Sequence, residues 1–143
     1  EKGDYTLFGN GTQATAAAVN AALVVNVTEI EGVSVNPITL HANLTFSPSD
    51  GTYNLVDDGG IAVLWNGSIM VNVDQMIAAA GRSGQATMLD FSIDNVLTAS
   101  SEAGTAASIQ KKDVAGFSVT TYIPEPATLT LLLVSGLFLR RRA

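Results

Sequence analysis

The sequence predicts a mainly β protein, in which an antiparallel β-sandwich-like domain is followed by a C-terminal hydrophobic helix. Three observations lead to this prediction. Apolar residues recur at every second position in several short segments, turn-forming residues separate those segments, and a final apolar run follows two closely spaced prolines. The length of 143 residues is that of about one domain, and an apolar fraction of 47% is enough for a core. We divide the chain into an acidic β-rich domain, residues 1–122, and a tail, residues 123–143.

The clearest strand in the sequence covers residues 38–46, where apolar residues alternate with Thr, His and Asn. Such alternation places one set of side chains on a buried face and the other set in water. The same pattern predicts strands over residues 23–27, 69–73 and 89–93. The Ala-rich residues 15–22 are compatible with either a helix or a strand.

Turn-forming residues lie between these strands. Asn-Gly pairs supply the positive φ angles that tight hairpins need, so we predict that Asn66-Gly67 joins a strand over residues 61–65 to a strand over residues 68–73. One or two helical turns are expected over residues 75–80, with Asp74 as the N-cap and Gly81 closing them. The other predicted turns are Asn36-Pro37, residues 47–51, residues 57–60 and Ala103-Gly104.

The charge of the chain limits its partners. Thirteen acidic and seven basic side chains give a net charge of −6, and three of the bases are Arg140, Arg141 and Arg142. Without these arginines and Glu125, residues 1–122 carry twelve acidic and four basic side chains, a net charge of −8. Such a domain repels phosphate backbones, so nucleic acid is not an expected partner.

Cysteine and histidine usage limits the chemistry. The chain has no cysteine and a single histidine, His41, which excludes a disulfide framework, thiolate metal sites and any site built on two imidazoles. We expect neither a metal nor another cofactor.

The tail differs in composition from the rest of the chain. Pro124, Glu125 and Pro126 precede an uncharged run of thirteen residues, 127–139, and the three terminal arginines follow directly. As a helix this run would be about 20 Å long, shorter than the roughly 30 Å of a bilayer core. Length alone therefore also allows a buried core helix. Because basic residues are retained on the cytoplasmic side, the arginines favour a terminal stop-transfer segment.

This order of Pro-Glu-Pro, apolar segment and terminal Arg cluster resembles the PEP-CTERM sorting signal of bacterial exported proteins. The resemblance covers only the tail. It implies recognition of Pro124, Glu125 and Pro126 by a membrane-embedded exosortase, a membrane segment over residues 127–139, and a cytoplasmic anchor at Arg140, Arg141 and Arg142.

The same resemblance implies a route and a destination. A protein of this family is exported through an N-terminal signal peptide, is transiently anchored in the inner membrane, and then reaches the cell surface or the extracellular space. The family is also associated with exopolysaccharide and biofilm matrix. Residues 1–4 contain no initiator Met and no basic-then-apolar signal pattern, so the expectation is a mature form or a fragment.

Catalytic residues are hard to find in the domain. There is no Gly-x-Ser-x-Gly elbow, and His41 falls mid-strand on the predicted solvent face, as a surface histidine does. Glu29 and Glu31 lie two apart and would be the pair for glycosidase chemistry, but acidic residues on exposed strands are commonplace. We therefore expect that the protein is not an enzyme.

Two further groups of residues suggest ligands. Calcium takes six to eight oxygen ligands from acidic loops, and five aspartates are expected in or near turns, although none has EF-hand spacing: Asp50, Asp57, Asp58, Asp90 and Asp94. Solvated turn residues are the simpler interpretation. Trp65, Tyr53 and Tyr122 are a candidate sugar-stacking platform, but the apolar run before Trp65 is typical of a core.

The leading hypothesis is a non-enzymatic exported surface or extracellular-matrix protein that is targeted through its C-terminal sorting signal. The alternative is a carbohydrate-binding or calcium-dependent adhesion module on the same tail. A secreted hydrolase is disfavoured because no nucleophile and base are found together.

Overall fold

The computed structural model describes residues 1–113, which form two antiparallel β-sheets. In chain order the elements are β1 (Lys2–Gly9), β2 (Ala16–Ile30), β3 (Val33–Asn43), β4 (Thr45–Ser47), a 3-10 turn (Ser49–Gly51), β5 (Thr52–Asn54), α1 (Leu55–Asp58), β6 (Gly60–Ser68), α2 (Val73–Ala79), β7 (Ala86–Ser100) and β8 (Thr105–Asp113). The prediction of a mainly β, antiparallel protein is confirmed. The predicted C-terminal hydrophobic helix lies outside the described residues.

The two sheets have different layouts. The first sheet has the strand order β4-β6-β1-β8. In the second sheet β2 is central: β7 pairs with it from residue 16 to residue 30, while β5 pairs with residues 16–18 and β3 with residues 22–30. Because β7 overlaps both short partners, β3 and β5 must share the other edge of β2.

Both sheets contribute to one apolar core. The Tyr5 ring of β1 stacks on the Tyr53 ring of β5, with centroids 4.0 Å apart and planes inclined by 14°. Phe46 of β4 meets Trp65 of β6 edge to face at 6.0 Å. The interpretation of Trp65 as a core residue is confirmed, since only 2% of it is exposed. The buried apolar residues are Tyr5, Leu7, Ala17, Val19, Ala21, Leu23, Val25, Val27, Ile30, Leu40, Leu44, Phe46, Tyr53, Trp65 and Ile77.

Two strand predictions are confirmed, since residues 23–27 lie in β2 and residues 89–93 lie in β7. The Ala-rich residues 15–22, for which both a helix and a strand were open, fall almost entirely in β2. Residues 38–46 show the predicted alternation, with a break at Leu44 between β3 and β4. The Leu44 N–H still donates to the Ala21 carbonyl of β2 at 2.9 Å, one step beyond the last β2–β3 pair, before the chain joins β6 as β4.

The predicted hairpin at Asn66-Gly67 is wrong, because both residues lie inside β6. Gly67 pairs with Phe46 of β4, and a Cβ on Gly67 would lie 2.8 Å from Cδ1 of the Phe46 ring. A glycine is needed there for close approach of an aromatic ring and not for a positive φ. The Asn-Gly pair therefore marks a packing contact in the first sheet.

The predicted strand over residues 69–73 is also wrong. Residues 69–72 form a connection, and Val73 begins α2. The N-cap is Asn72 instead of the predicted Asp74, because the Asn72 side chain accepts a hydrogen bond from the Gln75 N–H at 3.0 Å. Gly81 follows the helix at a φ of +76°, as a closing glycine should.

The turn predicted at Asn36-Pro37 lies within β3 instead. Pro37 falls where the β2–β3 register shifts, and proline is tolerated at such irregularities because it has no N–H to donate. The chain reverses at Glu31-Gly32, where both φ angles are positive, at 50° and 74°. Positive φ at both central residues is the requirement of a type I′ hairpin turn.

The remaining turn predictions match the structure more closely. Residues 47–51 contain the 3-10 turn, and Gly104 turns the chain between β7 and β8 at a φ of +82°. Residues 57–60 are only partly a turn, since Asp57 and Asp58 end the single-turn helix α1. Within residues 1–113, no helix is long and apolar enough to cross a membrane.

Candidate functional site

The candidate site lies at the seam between β1 and β8, the first and the last strands that the structure describes. The two strands pair from Gly9 with Thr105 to Lys2 with Asp113, with a bulge between Lys2 and Gly3. Three lysines and three acids form ion pairs across this seam. The last described strand is therefore held to the first by charge as well as by its backbone ladder.

On the outer face of the seam, Asp4 lies between Lys112 and Gln110. Lys112 forms an ion pair with the Asp4 carboxylate, and Gln110 Nε2 donates to Asp4 Oδ1 at 2.9 Å. The hydrogen bond from Lys112, followed by that from Gln110, lowers the pKa of Asp4 below its usual value. Another ion pair of the seam joins Lys2 Nζ to Asp113 Oδ2 at 3.3 Å, and both side chains are half exposed.

On the inner face, the Glu1 carboxylate gathers two nitrogen donors from two other strands. Its Oε1 accepts from Asn95 Nδ2 of β7 at 2.9 Å and also from Lys111 Nζ of β8. The Glu1 side chain is fully buried and that of Lys111 is 28% exposed. Within residues 1–113, Oε2 of Glu1 has no hydrogen-bond partner. We call Glu1, Asn95 and Lys111 the seam triad.

The backbone fixes the position of Glu1. Its α-amino group donates to the Gly67 carbonyl at 2.9 Å, and the Gly67 N–H donates to the Glu1 carbonyl at 2.8 Å. These two bonds continue the β1–β6 pairing by one more step and hold the carboxylate at the inner face.

The seam triad was missed by reasoning from the sequence, although a signal was present. Asn95 stands between Ile93 and Leu97 in the apolar phase of β7, and Lys111 follows Ile109 in the apolar phase of β8. The register confirms this phase, since Asn95 pairs with the buried Ala21. A polar side chain at such a position is buried only when it has a hydrogen-bonding partner. Two of them in apolar phase therefore indicate a buried polar contact.

A second polar cluster lies at the other end of β8. Oε2 of Glu102 accepts from the Thr12 N–H at 2.7 Å and from the Thr15 hydroxyl at 3.3 Å, and the Thr15 and Thr105 hydroxyls are 2.7 Å apart. Hydrogen bonds from Thr12 are the main cause that lowers the pKa of Glu102. This cluster ties two loops together, and Thr15 is completely buried within it.

The residues predicted for sorting cannot be placed by this structure. The motif Pro124, Glu125 and Pro126 and the anchor Arg140, Arg141 and Arg142 lie outside the described residues, as does Tyr122. Tyr53 and Trp65 do not form a sugar-stacking platform, because 0% and 2% of them are exposed.

The outer face of the second sheet brings together several polar residues that the sequence singled out. His41 and Ser92 flank Val24, and Thr39 and Asp90 flank Asn26. Asn43 and Asp94 flank Ala22 in the next row. His41 is exposed on this face, which confirms the interpretation as a surface histidine. Asp90 and Asp94 had been expected in or near turns, but both lie within β7.

The other acidic residues are distributed over separate structures. Glu29 Oε1 accepts from the Thr87 hydroxyl at 2.7 Å, whereas Glu31 is in the hairpin turn and accepts from the Gln85 N–H at 2.7 Å. Asp58 accepts from the Ser49 hydroxyl and the Asn54 N–H, at 2.8 and 3.0 Å. Among residues 1–113, no three His, Asp or Glu side chains are grouped so that they could hold a metal ion.

Comparison of the chain with protein families, with curated proteins and with solved structures found no match.

Proposed function

We propose that the chain is a non-enzymatic exported bacterial protein of the cell surface or extracellular matrix, delivered through a C-terminal sorting signal. The observation that carries the proposal is the order of Pro124-Glu125-Pro126, the uncharged run 127–139 and the three terminal arginines. An exosortase in the membrane recognises the Pro-Glu-Pro segment after the domain has crossed. The anchor is transient, and the final location is the surface or the matrix, with exopolysaccharide as a partner.

The chemistry of the recognition segment supports this proposal. Each proline fixes its own φ near −65° and biases the preceding residue toward an extended conformation. A pre-extended strip loses little conformational entropy when an enzyme binds it. Glu125 is the one charged residue between Asp113 and Arg140, so a recognition enzyme has a single charge to distinguish in this stretch.

The described domain also supports the proposal. Residues 1–113 contain a continuous apolar core of their own, formed by both sheets. An exported cargo domain needs such a core if it is to remain folded after the tail is removed. The strong excess of acidic side chains in residues 1–122 keeps a released domain soluble.

The proposal is tested by following loss of the tail in a host that contains an exosortase, using mass spectrometry of the exported protein. Glu125→Gln, and Pro124→Ala combined with Pro126→Ala, should each reduce processing. Asp90→Asn is the control for the first change, because it removes one exposed carboxylate from β7. Unchanged processing of both tail variants would refute the sorting motif.

The membrane anchor is tested separately. Replacing Arg140, Arg141 and Arg142 by Gln should lower the retained fraction and the extent of processing, because the short run has little apolar length to spare. Arg82→Gln removes an exposed arginine of the domain and should leave both quantities unchanged. If the triple variant is processed like the parent, the arginines are not the anchor.

One observation favours carbohydrate binding as a second function. The polar face defined by His41, Asn26, Thr39, Asp90 and Asp94 presents hydrogen-bonding side chains on three neighbouring strands of one sheet face. Thr39 already donates to Asn26 at 2.7 Å. The full chain in detergent should then bind neutral polysaccharide in a pull-down assay, since the acidic face repels anionic chains. The double variant Asp90→Ala, Asp94→Ala should lose that binding. Equal capture of the parent and the double variant would exclude this face.

A further inference from the structure

The seam triad contains the groups of an amide-forming reaction. The Lys111 amine and the Asn95 carboxamide both contact one oxygen of the buried Glu1 carboxylate, so they are separated by no more than two hydrogen-bond lengths. They come from strands of different sheets, since β7 pairs with β2 and β8 pairs with β1. A bond between them would link the two sheets.

We infer that Lys111 Nζ and Asn95 Cγ form an intramolecular amide bond with release of ammonia. The Glu1 carboxylate takes one proton from the Lys111 ammonium, which frees the lone pair on Nζ to attack Cγ. The Nζ–Cγ bond forms, the Cγ–Nδ2 bond breaks, and the protonated Glu1 returns its proton to the departing nitrogen. Lys111 loses two protons in all, and both leave with Nδ2 as ammonium. No oxidant, reductant or cofactor enters the balance.

Three features of the triad favour this reaction. The fold holds the amine and the carboxamide together, so their encounter requires no further loss of translational freedom. A single carboxylate touches both nitrogens and can transfer protons between them, as a general base and then a general acid. The free Oε2 of Glu1 is buried without a partner in the described residues, and a proton held there needs no competing hydrogen bond to break.

The outer face of the same seam provides an internal comparison. Asp4 also contacts a lysine, Lys112, and a carboxamide, Gln110. These two residues are on one strand, and the Lys112 side chain is 52% exposed, compared with 28% for Lys111. Water hydrates the more exposed amine and competes for it, so this set should stay unreacted. The expected product therefore lacks one ammonia and not two.

The test uses intact mass spectrometry of the full chain, with thermal melting to confirm folding. The parent should be lighter than its sequence mass by one ammonia. Digestion after Glu102 should leave the Asn95 and Lys111 peptides joined, because that cleavage site lies between them. Lys111→Arg keeps the positive charge beside Glu1 but should restore the full mass, and Glu1→Leu should do the same. Lys112→Arg is the matched control and should still lose one ammonia.

Two results would overturn the inference. One is a parent chain at its full mass whose digest contains only separate peptides. The other is loss of ammonia that persists in Lys111→Arg, because cyclisation of Asn95 on its own backbone also releases ammonia without any cross-link. If a variant fails to melt cooperatively, the digest of the parent still tests the inference, because it shows directly whether the Asn95 and Lys111 peptides are joined.

Discussion

Replacement of Tyr53 by Phe should stabilise the protein, although Tyr53 is one of its most buried residues. The Tyr53 hydroxyl is buried and has no hydrogen-bond partner in the described part of the chain, and 0% of the residue is exposed. Burying an unpaired hydroxyl costs about 1–3 kcal/mol in proteins. Phe removes this cost and keeps the ring that stacks on Tyr5 at 4.0 Å. We expect the free energy of unfolding at pH 7 to rise by about 1–2 kcal/mol.

The pH dependence gives a second measurement on the same variant. Burial, followed by the nearby Tyr5 and Asp58, raises the pKa of Tyr53 to about 12 from a usual value of 10.0. Between these two values the unfolded chain releases the phenol proton while the folded chain keeps it. The stability that the neutral phenol provides is therefore complete below pH 10 and is lost as the pH rises toward 12. Tyr53→Phe should show a smaller alkaline loss than the parent.

The assay is urea denaturation followed by the fluorescence of the buried Trp65, at pH 7 and again between pH 10 and pH 11.5. Tyr53→Ala should cost roughly 3–5 kcal/mol, because it removes the ring and leaves a cavity. At pH 7, Tyr5→Phe is the matched control, since the Tyr5 hydroxyl is not among the buried groups without a partner in the described residues. Burial also raises the pKa of Tyr5, so this control does not extend to the alkaline measurement. If Tyr53→Phe lowers the free energy of unfolding by 1 kcal/mol or more, the hydroxyl has a partner and the reasoning is wrong.

Two other predictions concern packing and charge. Gly67→Ala should destabilise the protein by about 1–3 kcal/mol in the same urea assay, because its Cβ would overlap the buried Phe46 ring; a change below 0.5 kcal/mol would show that the ring moves aside. Asp4→Asn should lower stability at pH 7. The lowered pKa of Asp4 means that its contribution is present above its usual value of 3.8 and disappears as the pH falls through the lowered pKa. Melting curves of parent and variant should therefore converge on acidification, and a gap that widens at low pH would contradict this account.

Much of the fold could be predicted from local patterns. The period-two alternation in residues 38–46 is a property of the strand itself, since neighbouring side chains must point to opposite faces. That segment, residues 23–27 and residues 89–93 accordingly form strands as predicted. The sorting signal is also a local feature, because its parts follow one another in the chain, and it stays a prediction.

Other features depended on contacts between distant segments. An Asn-Gly pair is compatible with a hairpin, but Phe46 packs on Gly67 from twenty-one positions away in sequence and needs the missing Cβ. Likewise, the turn predicted at Asn36-Pro37 is found at Glu31-Gly32, where the pairing of Ile30 with Val33 requires the reversal. Local sequence propensity indicates several possible turn positions, and packing between strands determines which of them form turns.

The seam triad shows the same division between sequence and structure. Asn95 and Lys111 occupy inward positions of β7 and β8, but no strand was predicted over either residue. Their meeting with Glu1 requires β1 and β8 to pair and β7 to lie against them, and the three residues are separated by 94 and 16 positions. Where the period-two pattern is strong, as in residues 38–46, sequence periodicity determined which face each side chain would occupy. Only the tertiary structure decided which side chains share that face, because the pairing of distant strands is set by the whole core.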